Sequence, residues 1–301
     1  MEFCEPARVV EARYLTPHMI RIRLESTGDW RWPVTGVGDE KIDLAFPRPG
    51  ETVADVAFFN NKDYGAAAAS AANAGETEST EPPWRHYTVR RVHAGGAQID
   101  IDFVVHPGGL ASDWAQRAQP GHVLGAFSVT ESRSYYAPPA DASRLLLVAD
   151  STGLPGLGRI IEGLPAGVRA HAFIEVPADD DRQEFETAAE VEFTWLVGTG
   201  HGTSLSALPA AIEGWAPPTT LGYAWVACEA AASRRIRRHL RGSLAMDRRH
   251  HIVVGYWTDG HTGHFEQNEA IPEPEHDHDH DHDHDHDHDH DHDHAEPAHA
   301  H

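Results

Sequence analysis

The pattern of apolar residues changes once along the chain, near Pro138-Pro139, and this change constrains the fold more than any other feature. Before it, short runs of alternating apolar and polar residues are separated by glycine and proline turns, which is typical of strands in a small barrel. After it, apolar runs such as 145–149 alternate with helical patterns, which indicates a mostly parallel sheet with helices on both faces. The sequence therefore predicts two domains, a β-barrel followed by a doubly wound α/β domain.

Individual elements follow from the same patterns. In the first domain we predict one helix over 110–118 and strands over 8–14, 20–25, 41–46, 53–59, 84–93, 97–105 and 122–129. Ala94-Gly95-Gly96 joins two of these strands in a hairpin. In the second domain we predict strands over 145–149, 169–176, 192–197, 223–228 and 250–257, with helices ending near Leu164 and over 204–213 and 230–241.

Composition sets the limits of the domains. The predicted ranges are 1–138 for the barrel domain, 139–262 for the α/β domain and 263–301 for a tail. Residues 65–83 are rich in Ala, Gly, Ser, Thr and Glu, which predicts a flexible loop within the barrel. Within this tail, His276 to His294 alternate His and Asp without an apolar residue to bury, so the segment is expected to be disordered when no metal is bound.

Charge excludes several classes of partner. The formal net charge is −23, and the residues before His276 still carry −13 with only two lysines, Lys41 and Lys62. Nucleic acid and anionic membrane surfaces both need excess basic residues, so neither is expected as a partner.

No apolar run approaches the roughly 20 residues of a membrane span. The amino-terminal residues have no apolar signal region, and two cysteines give no disulfide framework, so a cytoplasmic protein is expected.

The tetrapeptide Arg85-His86-Tyr87-Thr88 carries the first candidate site. It lies on a predicted strand, so Arg85 and Tyr87 share one face while His86 and Thr88 share the other. Arginine pairs with phosphate, and tyrosine and threonine can contact an aromatic ring system. The pattern fits an anionic aromatic ligand, although exposed strands often alternate these residue types without binding anything.

Two glycine-rich turns form further candidates. A predicted strand ends at His106, and Pro107-Gly108-Gly109 then leads into a helix, whose amino-terminal N–H groups can bind a diphosphate. Here Ser112 either contacts the ligand or only caps the helix. The second turn, Asp150 to Pro155, follows a buried strand and carries Thr152, at the strand end where α/β sheets bind ligands. The glycines at 153, in this turn, and at 156 and 158, just after it, serve either a ligand or close packing of helix on strand.

Taken together and in order, these segments resemble the siderophore-interacting proteins, which are FAD-dependent ferric-siderophore reductases of the ferredoxin–NADP reductase superfamily. The resemblance covers roughly residues 5–260. The segments that carry it are Arg85–Thr88, Asp102–Trp114, Asp150–Pro155, Trp225–Ala230 and Val254–Trp257. It implies a ferredoxin-reductase-like fold with an FAD-binding barrel and an NAD(P)H-binding α/β domain.

The resemblance also implies roles for individual residues. By this resemblance, Arg85 would pair with the FAD diphosphate, Tyr87 would lie against the flavin or its ribityl chain, and Thr88 would approach flavin N5. Thr152 faces the cleft between flavin and nicotinamide, and Glu229 lies near the nicotinamide. The other implied cofactor-binding residues are His86, Asp102, His106, Gly109, Ala111, Ser112, Tyr256 and Trp257. No catalytic side chain beyond the flavin is implied, because the flavin carries out the chemistry.

The implied activity is transfer of electrons from NADPH or NADH through FAD to a ferric siderophore, which releases Fe(II). Two alternatives remain open. The chain could be a flavin reductase of the same superfamily with another acceptor, or a divalent-metal-binding protein that acts through its tail. The scarcity of lysine favours a less anionic, hydroxamate-type chelate as the acceptor. Cys228 stands where family members usually carry glycine, and it is either a small buried apolar residue or a thiol facing the cleft.

The tail predicts metal binding by its own chemistry. Imidazole and carboxylate are both metal ligands, and affinity should be higher for copper, nickel and zinc than for iron(II). A solubilising or purification appendage is the alternative. The ten candidate ligands are His276, His278, His280, His282, His284, His286, His288, His290, His292 and His294.

Overall fold

A computed structural model describes residues 3–61, 82–128, 134–217 and 220–260, which all lie in one compact unit. Of the predicted flexible loop over 65–83, only the last two residues fall within this range. The predicted tail over 263–301 lies outside the described residues.

The first part of the chain forms the expected barrel. Six antiparallel strands close in the order β1-β2-β5-β4-β3-β6. Their bounds are β1 Phe3–Thr16, β2 Met19–Ser26, β3 Lys41–Ala45, β4 Trp84–His93, β5 Gln98–Val104 and β6 Val123–Ser128, with helices α1 Val56–Asn60 and α2 Leu110–Arg117. The predicted hairpin between β4 and β5 is confirmed, and its turn places Gly95 and Gly96 at positive φ.

Alternation along the strands sorts residues into the barrel and onto its outer surface. On β5, Ile99, Ile101 and Phe103 belong to the barrel core. Asp100 and Asp102 lie between them and point outward. Asp100 pairs with Arg23 of β2, and Asp102 pairs with Arg21 of the same strand. The period of two in the sequence therefore buries one face of β5 in the barrel and places ion pairs on the other.

The predicted strand over 53–59 is wrong, because this segment forms the short helix α1. The Asp55 carboxylate accepts a hydrogen bond from the Phe58 backbone N–H at 3.1 Å and so caps the helix. Phe59 is buried against Cys4. Of the segment 53–59, Val53 alone forms a β-bridge, an isolated one to Val123 of β6. A local side-chain cap thus overrides the β-like composition of the segment.

The second part forms a five-stranded parallel sheet in the order β11-β10-β7-β8-β9. The bounds are β7 Arg144–Ala149, α3 Leu154–Gly163, β8 Arg169–Val176, β9 Glu190–Val197, α4 Leu208–Glu213, β10 Tyr223–Glu229, α5 Ala230–Gly242 and β11 His251–Trp257. Leu145 and Leu147 pack with α3, whereas Leu146 and Val148 pack with α4 and α5 on the opposite face. The doubly wound α/β prediction is therefore confirmed.

Helix α4 begins at Leu208, later than the predicted 204. The Glu175 carboxylate at the end of β8 accepts hydrogen bonds from the Thr199 hydroxyl at 2.7 Å and the Ala207 backbone N–H at 2.6 Å. These contacts hold the residues before Leu208 as a loop across the sheet edge.

Helix α3 joins the sheet to the barrel. Arg90 on β4 forms two hydrogen bonds to Glu162 of α3, at 2.6 and 2.8 Å, and Arg159 donates to the Val89 carbonyl at 2.7 Å. Gly38 lies so close to Ile160 that a Cβ atom there would be 2.4 Å from its Cγ1. The barrel and the sheet thus share a packed interface, and this interface sets the position of the candidate site.

Asp39, in the segment between β2 and β3, stabilises this interface through hydrogen bonds. It is fully buried and accepts hydrogen bonds from the Trp225 indole at 2.9 Å and the Tyr136 backbone N–H at 3.0 Å, and it also contacts the Ser134 hydroxyl. One carboxylate therefore joins the barrel, the connection between the two parts and strand β10.

Candidate functional site

The strand order of the parallel sheet reverses between β7 and β10. In open α/β sheets, ligands bind beyond the carboxyl ends of the strands at such a point. The turn Asp150–Gly153 follows β7, Glu229 ends β10, and Trp257 ends β11, which is the next strand outward. This edge of the sheet is the candidate site.

Strand β4 of the barrel reaches the same region through Thr88. Thr88 is buried, and the Tyr256 side chain of β11 lies against it. The Tyr256 hydroxyl is buried but meets no partner at hydrogen-bonding geometry among the described residues. Burial also raises the pKa of this hydroxyl well above its ordinary value. Thr88 and the Tyr256 hydroxyl therefore lie together where the barrel meets the sheet, in a position that fits a polar ligand group.

The other residues of the β4 motif surround Thr88. The Tyr87 ring packs against Phe103, with ring centroids 4.5 Å apart, and burial raises the pKa of its hydroxyl. The Arg85 guanidinium donates to the Trp84 carbonyl at 2.6 Å. His86 pairs through Nδ1 with the buried Asp43 on the neighbouring strand β3. The strand thus presents an arginine, an aromatic ring and a threonine within four residues.

The turn after β5 forms an open helix terminus. Gly109 caps α2 without a side-chain hydrogen bond, so the first N–H groups of the helix, including that of Ala111, remain available to an anion. The Ser112 hydroxyl accepts from the His106 N–H at 2.9 Å and donates to the His106 carbonyl at 2.8 Å. The His106 ring lies directly over Gly109, where a Cβ atom would be 2.2 Å from its Cε1. The Ser112 hydroxyl therefore stabilises the turn between β5 and α2 through the His106 backbone.

Asp102 is placed apart from these residues. It lies on the outer face of β5 and binds Arg21 through two hydrogen bonds of 2.6 and 2.7 Å, with Arg90 at 3.9 Å. Its carboxylate is buried in this ion-pair network beside α3. A cofactor-binding role for Asp102 stays a prediction.

Several predicted residues do meet at the switch point. The Thr152 hydroxyl and backbone N–H both donate to Asp150, at 2.6 and 2.8 Å, and the Trp257 indole donates to the same carboxylate at 2.7 Å. Glu229 caps α5 by accepting from the Ala232 N–H at 2.8 Å. Gly153 packs against β10, where a Cβ atom would be 2.2 Å from the Ala227 carbonyl oxygen, so its role is close packing.

Cys228 does not face the cleft. Alternation along β10 turns its side chain toward Leu208 and Ile236, on the face of the sheet covered by α4 and α5. Burial raises the pKa of the thiol well above its ordinary value, and nearby carboxylates add to the shift. Cys228 is therefore a small buried apolar residue, and the reactive-thiol reading is wrong.

Sequence reasoning missed a loop that crosses the site. His201, in a left-handed conformation at φ 59°, follows β9 and places Nε2 2.6 Å from the Ser151 hydroxyl oxygen. Burial lowers the pKa of His201 against the opposing effect of Asp150. The signal was present as alternating glycines at 198, 200 and 202, all at positive φ.

The predicted metal ligands of the tail lie outside the described residues. Within the described ranges, no group of three or more His, Cys, Asp or Glu side chains is arranged to hold a metal ion. In the same ranges, no helix has the length and apolar character needed to cross a membrane.

Comparisons with known families cover both parts of the chain. Residues 8–128 match the family described as siderophore-interacting FAD-binding domain, and residues 142–260 match the family described as siderophore-interacting protein.

Individual relatives agree with these matches. A solved siderophore utilization protein from T. fusca is 30% identical, with a TM-score of 0.71 over 89% of this chain and 97% of that protein. The ferric vibriobactin reductase ViuB of Vibrio cholerae is 29% identical over 186 residues, which are 60% of this chain and 66% of ViuB. A ferredoxin reductase of carbazole 1,9a-dioxygenase, at 14% identity and a TM-score of 0.56 over 86% of this chain and 69% of that one, shares the fold.

Proposed function

Since the chain belongs to the siderophore-interacting protein family, we propose that it is an FAD-dependent NAD(P)H:ferric-siderophore oxidoreductase. It would release Fe(II) from an iron chelate in the cytoplasm, where NADH and NADPH are available. The observation that carries the proposal is the meeting of Thr88 on the barrel with Tyr256 at the switch point of the sheet. This juxtaposition supports a flavin site on the barrel that shares one crevice with a nicotinamide site on the sheet.

Residues of the barrel and of the sheet edge together offer the groups that a flavin dinucleotide would need. Arg85 offers a guanidinium for a diphosphate, and the start of α2, which has no side-chain cap, offers backbone N–H groups for the same anion. Tyr87 offers a ring face to the flavin, and Thr88 with the buried Tyr256 hydroxyl offers polar contacts near N5. When bound, FAD supplies hydride acceptance from NAD(P)H and single-electron donation to Fe(III). Thr152 and Glu229 would orient the nicotinamide, and the chain itself needs no acid or base.

Charge favours a weakly anionic ferric chelate as the acceptor. The residues before His276 carry a formal charge of −13, which repels a highly anionic catecholate complex. Lys41, the one lysine among the described residues, donates to the Tyr135 hydroxyl at 2.7 Å and lies over its ring. A hydroxamate complex carries less negative charge, and Fe(II) binds to hard oxygen ligands less tightly than Fe(III), so reduction releases the iron.

The proposal is tested with the absorption spectrum of the purified full-length protein. Anaerobic NADPH or NADH should bleach the flavin bands, and a ferric hydroxamate should restore them while a ferrous-specific chelator reports Fe(II). Failure to take up FAD would contradict the proposal. If the bands bleach but quinones or free flavin reoxidise the protein faster than ferric chelates, it is a flavin reductase with another acceptor.

A pair of arginine variants tests the flavin site itself. Arg85→Ala should weaken FAD binding about 10- to 100-fold, because a hydrogen bond to a charged group contributes about 1.5–3 kcal/mol. Arg91→Ala removes an exposed guanidinium from the same strand and is the matched control. Equal FAD affinity in both variants, measured by flavin fluorescence titration, would remove Arg85 from the site.

A further inference from the structure

The Asp150 carboxylate is buried at the carboxyl end of β7 and uses both of its oxygens. Oδ1 accepts from the Thr152 backbone N–H at 2.8 Å, from the Thr152 hydroxyl at 2.6 Å and from the Gly153 N–H at 3.2 Å. Oδ2 accepts from the Trp257 indole N–H at 2.7 Å. The bonds to Oδ1 close a local turn, whereas the bond to Oδ2 reaches a residue 107 positions away in sequence.

This long-range bond spans the switch point. β7 and β11 both pair with β10, so Asp150 and Trp257 stand on either side of the strand that ends at Glu229. Asp150 has no ion-pair partner within the part of the chain that the structure describes. The hydrogen-bond donors to its two oxygens are all uncharged, and they come from the turn after β7 and from the end of β11.

The Trp257 ring differs from the other tryptophan that binds an aspartate in this sheet. The Trp225 indole bonds to Asp39 but is fully buried, so packing already fixes its orientation. Trp257 is partly exposed, and the neighbouring Gly202 of the loop after β9 would place a Cβ atom 4.0 Å from its ring. A partly exposed indole can hydrogen-bond to water instead, so the bond to Asp150 selects one orientation of the ring.

We propose that Asp150 is a positioning residue that fixes the Thr152 hydroxyl and the Trp257 indole together on the wall where nicotinamide meets flavin. The inference rests on the proposed reductase function. It requires that loss of the Oδ2 bond misorients Trp257 without unfolding the turn, and that this misorientation slows flavin reduction by NAD(P)H.

Asp150→Asn separates the two sets of bonds. The side-chain oxygen of asparagine can still accept from Thr152 and Gly153, but its NH₂ group then faces the indole N–H, and two donors cannot bond. In ¹⁵N-labelled protein without added nucleotide, Trp257→Phe identifies the Trp257 signal among the indole N–H resonances. Asp150→Asn should shift that signal and speed its exchange with deuterated solvent. This readout does not depend on flavin turnover.

Kinetics then test the coupling between the two residues. Asp150→Asn and Trp257→Phe should each slow anaerobic flavin reduction by NADPH or NADH about tenfold, because small misplacements at a reacting centre are expensive. The double variant should be no slower than Asp150→Asn alone, since both changes break the same contact. Asp100→Asn is the control: it removes a buried carboxylate from the outer face of the barrel and should leave the Trp257 signal and the reduction rate unchanged.

Each result decides between the positioning proposal and the proposed function. Multiplying effects in the double variant, or an unshifted Trp257 signal in Asp150→Asn, would overturn the positioning role. Normal reduction in both single variants would do the same while leaving the reductase function intact. If the unmodified protein binds no FAD or is not reduced by either nucleotide, the proposed function fails, and the positioning role fails with it.

Discussion

The two cysteines lie in different parts of the fold but have the same chemistry. Cys4 is buried in the barrel with Phe59 and Ala45, and Cys228 is buried beneath α4 and α5. Burial, with a smaller contribution from Glu5, raises the pKa of the Cys4 thiol to about 12, and burial raises that of Cys228 well above its usual range. The thiolate is the reactive form, so both residues should be chemically inert in the native protein.

We therefore expect the native protein to expose no thiol to Ellman's reagent at pH 8. Both cysteines should react after unfolding in guanidinium chloride, and this titration is the matched control. Cys228→Ala should retain flavin reduction, because the thiol points away from the crevice. Rapid labelling of one thiol in the native state, lost in Cys228→Ala, would contradict the placement of this side chain.

Asp100 provides a test of electrostatics at a single residue. Its buried carboxylate accepts from Arg23 at 2.8 Å and faces His93 Nε2 at 2.8 Å. Burial alone would raise the pKa of Asp100, but the hydrogen bonds from Arg23 and His93 outweigh it and lower the pKa below 3.8. A carboxylate with a lowered native pKa stabilises the fold above the unfolded pKa, and this stability is lost as the pH falls through the native value.

Asp100→Asn should therefore cost most near neutral pH. We expect a loss of about 1–3 kcal/mol in the free energy of unfolding at pH 7, which shrinks as the pH falls below about 4. Urea unfolding followed by tryptophan fluorescence at pH 7, 5 and 3.5 measures this difference. The exposed Asp141→Asn is the matched control and should change little at any of these values. A loss that stays constant with pH would show that the ion pair is not its source.

For single residues, the sequence shows which side chains could bind a ligand more readily than it shows which residues contact each other in the fold. It singles out Arg85, Tyr87 and Thr88 because arginine, tyrosine and threonine on one strand suggest an anionic aromatic ligand. It gives no indication that Asp39 binds Trp225, because these residues are 186 positions apart and meet only when the barrel docks on the sheet. Asp102 shows the same limit, since its partner Arg21 is set by strand register.

At the scale of elements, strong periodicity predicts well and short segments predict poorly. The barrel strands from β4 to β6 and all five strands of the parallel sheet lie within a few residues of their predicted positions. The segment 53–59 becomes a helix because one side-chain cap decides the conformation of so short a stretch. Helix α4 starts late because Glu175, from another strand, binds the residues before it.

The glycines of the interface act at this scale as well. Gly38 touches α3, and a Cβ atom there would lie 2.4 Å from Cγ1 and 3.1 Å from Cα of Ile160. Gly38→Ala must therefore displace the helix from the barrel. We expect a loss of about 1–3 kcal/mol, which lowers Tm by several degrees, as overpacking of a tight contact does.

Gly163→Ala is the matched control for this substitution. Gly163 is the last residue of α3, and a Cβ atom there meets nothing within 4 Å. Alanine favours helix over glycine, so Tm should stay the same or rise slightly. Calorimetry of both variants tests the contact. An unchanged Tm in Gly38→Ala would mean that α3 does not rest on the barrel at this point.

For the whole molecule, the change of pattern near Pro138-Pro139 predicts the two architectures but not their interface. All barrel strands precede this point and all strands of the parallel sheet follow it. The precise domain ranges 1–138 and 139–262 stay predictions. What the sequence could not supply is the way in which α3, Asp39 and Arg90 bring Thr88 to Tyr256, because that arrangement depends on packing between distant segments.

The His-Asp repeat leads to a prediction at the same scale. From His276 to His294 the chain carries ten imidazoles and nine carboxylates, so it should bind several divalent ions. By isothermal titration calorimetry, the protein should bind copper most tightly, nickel and zinc less tightly, and iron(II) most weakly of the four. Binding should weaken below about pH 6.5, because protonated imidazole cannot ligate a metal.

A chain ending at residue 275 is the control for this measurement. It should lose the tight sites and keep its flavin chemistry, because the Thr88 and Asp150 contacts all involve residues before 261. Equal metal binding by both chains would contradict the assignment to the repeat. The order of affinity also bears on the proposed function, because a tail that captured Fe(II) released by such a reductase would have to work against the ligand preference of imidazole. If copper, nickel or zinc in excess leaves Fe(II) release by the full-length protein unchanged, the tail and the reductase act on different metals.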